Sequence, residues 1–194
     1  MPRRTKAESE ATATAILGAA RELYAARGFA AVPVEEVAAA CGVTRGAVYH
    51  HFGSRVGLFA AVHADVMASV AADVERAADG CDPWEGLEAG CRAFLEAVVA
   101  DDARQVVLVD GPAVLGWERW REDDARSSGR LLEEVLAELA DAGHVRPDDV
   151  AVTSALLSGA MNEAALWVAA APDRSRALAQ AWEALRRLLP GIRA

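Results

Sequence analysis

Cysteine is scarce in this chain and badly placed for cross-linking. Cys41, Cys81 and Cys91 form an odd, widely spaced set with no CxxC pair, which argues against a disulfide framework and makes a reducing cytoplasm the simpler home. Prolines are few and separated, and no run alternates apolar and polar residues in the manner of a strand, so the expected fold is all-α. Residues 1–10 are polar and charged with no apolar run behind them, so no secretory signal is visible. Catalytic signatures are missing as well. There is no Ser/His/Asp motif, Gly-rich phosphate loop or metal-ligand spacing; His50 and His51 are adjacent and cannot share a helix face, and His63 and His144 lack ligand partners nearby. No catalytic residue, metal or cofactor is expected.

What is abundant is acid, and it is unevenly spread. The formal net charge of −9 over 194 residues looks wrong for a nucleic-acid binder until the chain is divided. Residues 1–62 hold seven Lys/Arg against five Asp/Glu, and the remainder holds thirteen against twenty-four. Such asymmetry points to a DNA-facing head on an acidic body that repels non-specific DNA.

The chain is organised around Val34–Phe52, VEEVAAACGVTRGAVYHHF. Val34, Val37, Ala38 and Cys41 recur at helical spacing, and Gly42 follows as the residue that ends a helix in the left-handed region at little steric cost. Thr44 then offers an N-cap hydroxyl to a second helix that buries Val48 and Phe52. Thr44, Arg45, Tyr49 and His50 are left near its outer face, with Gly46 and Ala47 small enough to admit a phosphodiester backbone. A helix-turn-helix reader is built this way, its second helix entering the major groove. On spacing alone an ordinary helix hairpin would fit equally well.

The flanking residues shift that balance. Residues 16–59, ILGAARELYAARGFAAVPVEEVAAACGVTRGAVYHHFGSRVGLF, resemble the DNA-binding domain of the tetracycline-repressor-like (TetR) family of bacterial transcriptional regulators. The marks are Gly28-Phe29, the Tyr49-His50-His51-Phe52 ending, and Ser54-Arg55-Val56-Gly57-Leu58-Phe59 opening a fourth helix. The sequence departs from the pattern at Pro33, which brings no capping oxygen, at Arg55 in place of the commoner lysine, and at Gly57 where an acidic residue often closes a capping box. The resemblance implies a helix-turn-helix domain over 1–58 and an all-helical effector-binding and dimerisation domain over 59–194; residues 1–13, with Arg3, Arg4 and Lys6 beside Glu8 and Glu10, are expected to form a mobile arm that contributes electrostatically at most. The resemblance assigns DNA contact to Thr44, Arg45, Gly46, Ala47, Tyr49, His50 and Arg55. In the family, the fourth helix is the lever between ligand and DNA.

Several body helices can be placed. Asp82-Pro83 starts one through Phe94 and Val98, and Ala103–Val109 is read as a short helix, since a strand would have no partner. A long helix is expected from about Trp117 to Ala142. Pro147 opens a run that is apolar nearly all round, to about Ala171; Asn162-Glu163 in its middle argues against a membrane span and for a buried helix. The last helix carries Leu178, Trp182, Leu185 and Leu189 on one stripe. By the resemblance, the last two helices pair with their copies in a homodimer through Leu156, Gly159, Ala160, Leu178, Trp182, Leu185 and Leu189. A pocket for a small, largely hydrophobic effector is likewise implied by the family, with Phe94, Trp117, Trp120, Met161, Asn162, Glu163 and Trp167 as its candidate lining. Glu163, if buried, needs Arg119, Arg121 or a polar ligand group beside it. The expected protein is a cytoplasmic, ligand-responsive regulator, a repressor released from a palindromic operator in double-stranded DNA by its effector; the alternative is an all-α enzyme or scaffolding protein with an incidental helix-turn-helix.

Overall fold

The computed structural model describes residues 6–194, and every regular element among them is helical. Arg3 and Arg4 of the expected arm lie outside the described residues. The chain divides into two compact units. One comprises residues up to Val66 together with Asp101–Trp117; the other comprises Met67–Ala100 and Glu118–Ala194.

In the first unit, α1 (Lys6–Ala31) begins earlier than expected, so residues 6–13 are helical rather than a mobile arm. This stretch is alanine-rich and has Glu8 in its first turn, where a carboxylate complements the helix dipole. Thr12 and Thr14 turn their hydroxyls back to the carbonyls of Glu8 and Glu10, at 2.8 and 3.1 Å. Gly28 does not stop the helix but kinks it: its φ of 76° is open to glycine, and helical bonding resumes to Ala31.

Helices α2 (Val34–Ala40) and α3 (Arg45–Phe52) form the reader pair. As the sequence predicts, Pro33 caps α2 without a side-chain bond and Gly42 turns the corner at φ 66°. Val34, Val37, Ala38 and Val48 are buried against Ile16, Ala20 and Tyr24 in the unit's core. Burial of each larger side chain contributes roughly 1.5–3 kcal/mol relative to leaving it in water. Helix α4 (Arg55–Ala78) follows, and it crosses from the first unit into the second at Val66. Its stripe of Leu58, Phe59, Val62, Val66 and Val70 is buried, which accounts for its apolar character as a core helix.

The second unit is built from the C-terminal half of α4, α5 (Pro83–Val98) and the helices after Trp117, while α6 (Asp101–Arg104) belongs to the first unit. Asp82 caps α5 by accepting from the Trp84 and Glu85 amides at 2.9 and 3.1 Å. Residues Gln105–Asp110 form a π-helix between α6 and α7 (Gly111–Leu115), so the apolar segment is helical as expected, in a wider register. The long helix expected over 117–142 is two helices, α8 (Trp117–Arg126) and α9 (Ser128–Asp141). The break has a local cause: the Ser127 hydroxyl donates to the carbonyls of Asp123 and Asp124, competing with the helical ladder. Helix α10 (Val150–Ala170) packs between α9 and α11 (Arg174–Leu188), with α5 beside them.

Candidate nucleic-acid interface and body cavity

The residues expected to face DNA, other than Arg55, lie on α3 and its cap. Thr44 Oγ1 accepts from the Ala47 amide at 3.2 Å, which fixes the start of the helix and leaves the hydroxyl hydrogen to donate outward. Arg45 is exposed and lies over the Tyr49 ring at 5.2 Å, its Nη2 3.4 Å from the phenol oxygen. Glu35 of α2 pairs with the same guanidinium at 2.7 Å. The Tyr49 hydrogen bond and the Glu35 charge hold the Arg45 guanidinium firmly protonated. Gly46 is exposed, and a Cβ there would meet only Thr44 Oγ1, at 3.8 Å, so the fold itself does not demand glycine. His50 is exposed at the far end of the same helix and Ala47 is half-buried.

Arg55 stands apart from this group. Its Nη2 donates to the carbonyls of Phe29, Ala30 and Val32, and the guanidinium covers the Phe29 ring at 4.2 Å. It therefore caps the end of α1 instead of facing outward to a phosphate. The carbonyls at a helix end lack intrahelical donors, and an arginine fork is well shaped to meet them. The departure at Gly57 also has a structural reason, since a Cβ there would collide with the Phe52 backbone carbonyl oxygen. Ser54 Oγ accepts from the Gly57 amide at 2.9 Å and starts α4 without a capping box.

In the second unit a cavity of about 330 Å³ opens between α4, α5, α9 and α10. Of the seven residues predicted to line a pocket, Phe94 and Met161 do so. Trp120 is buried in packing outside the cavity. Asn162 is tied up: its Nδ2 donates to Asp124 Oδ2 at 2.8 Å and to the Ser158 carbonyl at 3.0 Å. The same carboxylate accepts from Ser158 Oγ and pairs with Arg121, at 2.9 and 3.2 Å. Trp117 is exposed and belongs to the first unit. Glu163 and Trp167 are exposed on α10, where they line a shallow groove with Leu188 of α11. An exposed Glu163 needs no buried partner, and Arg119 and Arg121 pair with Asp123 and Asp124 instead.

Sequence reasoning missed Glu35 as the partner of Arg45, and Ser128 and Glu138 as cavity residues. The Ser127-Ser128-Gly129 run was the available signal for Ser128, since small polar residues in a helical pattern mark a break, and no signal pointed to Glu138. Cys81 and Cys91 both line the cavity, but burial pushes the Cys91 thiol up to about 12, so it stays protonated and unreactive near neutral pH.

The expected dimer stripe on α11 divides in the same way. Leu185 and Leu189 are buried in the chain's own core, and Leu178 and Trp182 are half-buried beside Arg92 and Glu96 of α5. The large apolar side chains left exposed on α10 and α11 are Val152, Leu156, Trp167 and Leu188. Gly159 and Ala160 are half-buried on α10.

Comparison with known proteins agrees with this geometry. A family profile described as "Bacterial regulatory proteins, tetR family" matches residues 16–62, and one described as "Tetracyclin repressor-like, C-terminal domain" matches residues 84–192. The chain is 34% identical to a TetR-family transcriptional regulator from Pectobacterium atrosepticum of known crystal structure, with a TM-score of 0.85 and 98% of each chain covered. It is 36% identical to the transcriptional repressor BepR of Brucella suis over 55% of this chain and 52% of that protein, so the match spans about half of that curated relative. RolR, solved in complex with its ligand resorcinol, shares the fold at 22% identity and a TM-score of 0.71, over 94% of this chain and 90% of that one.

Proposed function

The chain belongs to the tetR family of bacterial regulatory proteins, ligand-responsive DNA-binding transcriptional regulators, and on that premise we propose which of its residues read DNA and how they are released. The carrying observation is the Arg45–Tyr49 pair on α3, with Arg45 exposed and Tyr49 half-buried, behind a small, open helix start at Thr44 and Gly46. Arg45 hydrogen-bonds a guanine edge and Tyr49 touches the groove, while Thr44 and His50 hold phosphates on either side. Gly46 and Ala47 let the backbone come close. Arg55 serves at one remove, by locking the end of α1.

Two heads act together. The exposed Val152, Leu156, Trp167 and Leu188 cover the corresponding face of a second copy, with Gly159 and Ala160 allowing close approach, so that the dimer meets two half-sites of a palindrome. The protein works in the cytoplasm as a repressor, has no catalytic role, and leaves its operator when an effector occupies the cavity of the second unit. Release requires that the effector bind the DNA-free spacing of the heads more tightly than the DNA-bound one. Two features support this reading: the cavity's apolar lining, and the covalent continuity of α4 between the units.

The test is selection of duplexes from a random pool by the purified protein, followed by fluorescence anisotropy of the selected site with wild type and Tyr49→Ala. A palindromic site bound with steep salt dependence, and lost in the variant, is the expected result. Absence of any preferred sequence overturns the assignment of α3 as a reader.

A further inference from the structure

The cavity of the second unit carries a charge pattern that helix packing does not call for. Its floor is apolar, with Leu87, Phe94, Leu132 and Met161 among its residues. Against that floor lies Ser128, 7% exposed, whose Oγ has no hydrogen-bond partner. A buried hydroxyl left without a partner is unfavourable, and it is satisfied when a ligand brings the missing polar group.

The polar part of the lining is of one sign. Glu75, Asp79, Asp82, Glu134 and Glu138 contribute to it, and no Lys, Arg or His does. Three of the five are engaged. Asp82 caps α5, and Arg130 pairs with Glu134 at 2.6 Å while approaching Glu75 at 3.7 Å. Asp79 and Glu138 have no cationic partner among the described residues. Uncompensated carboxylates beside a low-dielectric apolar surface repel an anionic ligand and attract a cation more strongly than the same charges would in open water.

We propose that this cavity takes a small organic cation, an ammonium group carried on an apolar body. The apolar part packs against Phe94 and Met161. The ammonium supplies both things the site lacks, a donor for Ser128 Oγ and a positive charge for Asp79 and Glu138. A neutral alcohol of the same shape meets only the first need, and a carboxylic acid meets neither at neutral pH. This inference deepens the effector-binding reading above and rests on it.

The test uses the full chain and three ligands of one shape: 4-phenylbutylammonium, 4-phenylbutan-1-ol and 4-phenylbutanoate, titrated calorimetrically at neutral pH. The ammonium is expected to bind at least tenfold more tightly than the alcohol at low salt, with the acid weakest. The gap should narrow as salt is raised, because the carboxylates at the rim are open to screening. D79N/E138Q should bring the ammonium down to the affinity of the alcohol, and Ser128→Ala should weaken both. An ammonium that fails to bind at millimolar concentration, or binds no better than the alcohol, overturns the proposal. So does a double variant that keeps the preference. Should that variant fail to fold, the order of the three ligands on wild type and its salt dependence decide alone. DNA anisotropy on the same preparation separates the two readings. Intact DNA binding without cation preference sinks this inference only; cation preference without any DNA site sinks the regulator reading only.

Discussion

Gly57 and Gly18 both lie inside long helices, and helix propensity alone predicts that alanine at either site stabilises the protein. In a helix interior, replacing glycine by alanine is worth about 0.5–1 kcal/mol. The structure splits the pair. Gly18 is exposed on α1 with nothing within 4 Å of a Cβ, so G18A should realise that gain. For a protein of this length, stability of that size corresponds to an increase in Tm of roughly 1–4 °C. At Gly57 the new Cβ meets the Phe52 backbone carbonyl oxygen, which already accepts from the Ser54 amide at 2.8 Å. A carbonyl held in that turn cannot swing aside as a side chain would. Forcing the methyl in must displace the start of α4 from the end of α3, and overpacking of this kind costs about 1–3 kcal/mol. After the propensity gain is subtracted, G57A should lose on the order of 1–2 kcal/mol and a few degrees of Tm. Because α3 is the proposed reader helix, DNA affinity should fall with it. Thermal melts of the two variants and wild type, read by circular dichroism, make the comparison. A G57A protein more stable than wild type would refute the steric argument, since propensity would then have won at both sites.

The remaining predictions concern charge and a long-range bond. Glu35 holds Arg45 at 2.7 Å and places a carboxylate beside the proposed reader helix, so Glu35→Gln should raise affinity for random duplex several-fold and flatten discrimination, as anisotropy with specific and scrambled DNA would read. Cys91, with its thiol pushed from 9.0 up to about 12, is neutral in the fold where an unfolded chain would ionise. The unfolded state therefore binds fewer protons above pH 9, and stability should fall as pH rises from about 9 towards 12. Cys91→Ala should flatten that part of a denaturant-midpoint profile. Asp110 Oδ2 accepts from the Phe29 amide at 2.6 Å, across 81 residues of sequence. Asp110→Ala should cost about 1–2 kcal/mol of stability, measured by urea unfolding, by leaving a half-buried donor unmet at the kink of α1.

The sequence was most informative where chemistry is local. Thr44, Gly42 and Asp82 announce their caps and turns, and the structure has all three in those roles, because a cap depends on a few neighbouring backbone atoms. The apolar stripe of α2 was legible for the same reason. What escaped was orientation and partnership between distant segments. A heptad-like stripe on α11 does not say whether it faces its own core or a second copy, and Leu185 and Leu189 proved to be core. The resemblance implies a pocket lined by tryptophans, yet Trp120 packs outside the cavity and Trp167 lies on an open face. Asn162 and Glu163 are adjacent on α10 and so point in different directions: one is tied to Asp124, the other meets solvent.

Arg55, which stands where lysine is commoner, keeps the positive charge of the position and turns it inward. An arginine after Ser54 could hold a phosphate, but three carbonyls and an aromatic face compete for it here, and all four belong to the end of α1 and the residues just after it. That end is also where Gly28 kinks, with a hypothetical Cβ 3.0 Å from Gln105 Nε2 and 3.3 Å from Asp110 Oδ2. Two segments far apart in sequence thus meet at one kink: the opening turn of α4 from one side of the chain, and the π-helix Gln105–Asp110 from the other. Both segments run on into the second unit, α4 at Val66 and the π-helix stretch at its two ends, Asp101 and Trp117. The joint at Gly28 is thus tied by chain connectivity to both segments that enter the second unit. On the release mechanism proposed above, coupling would require no contact between effector and reader, only two conformations of that joint with different affinity for DNA, and Gly28, which carries no side chain, lies in it.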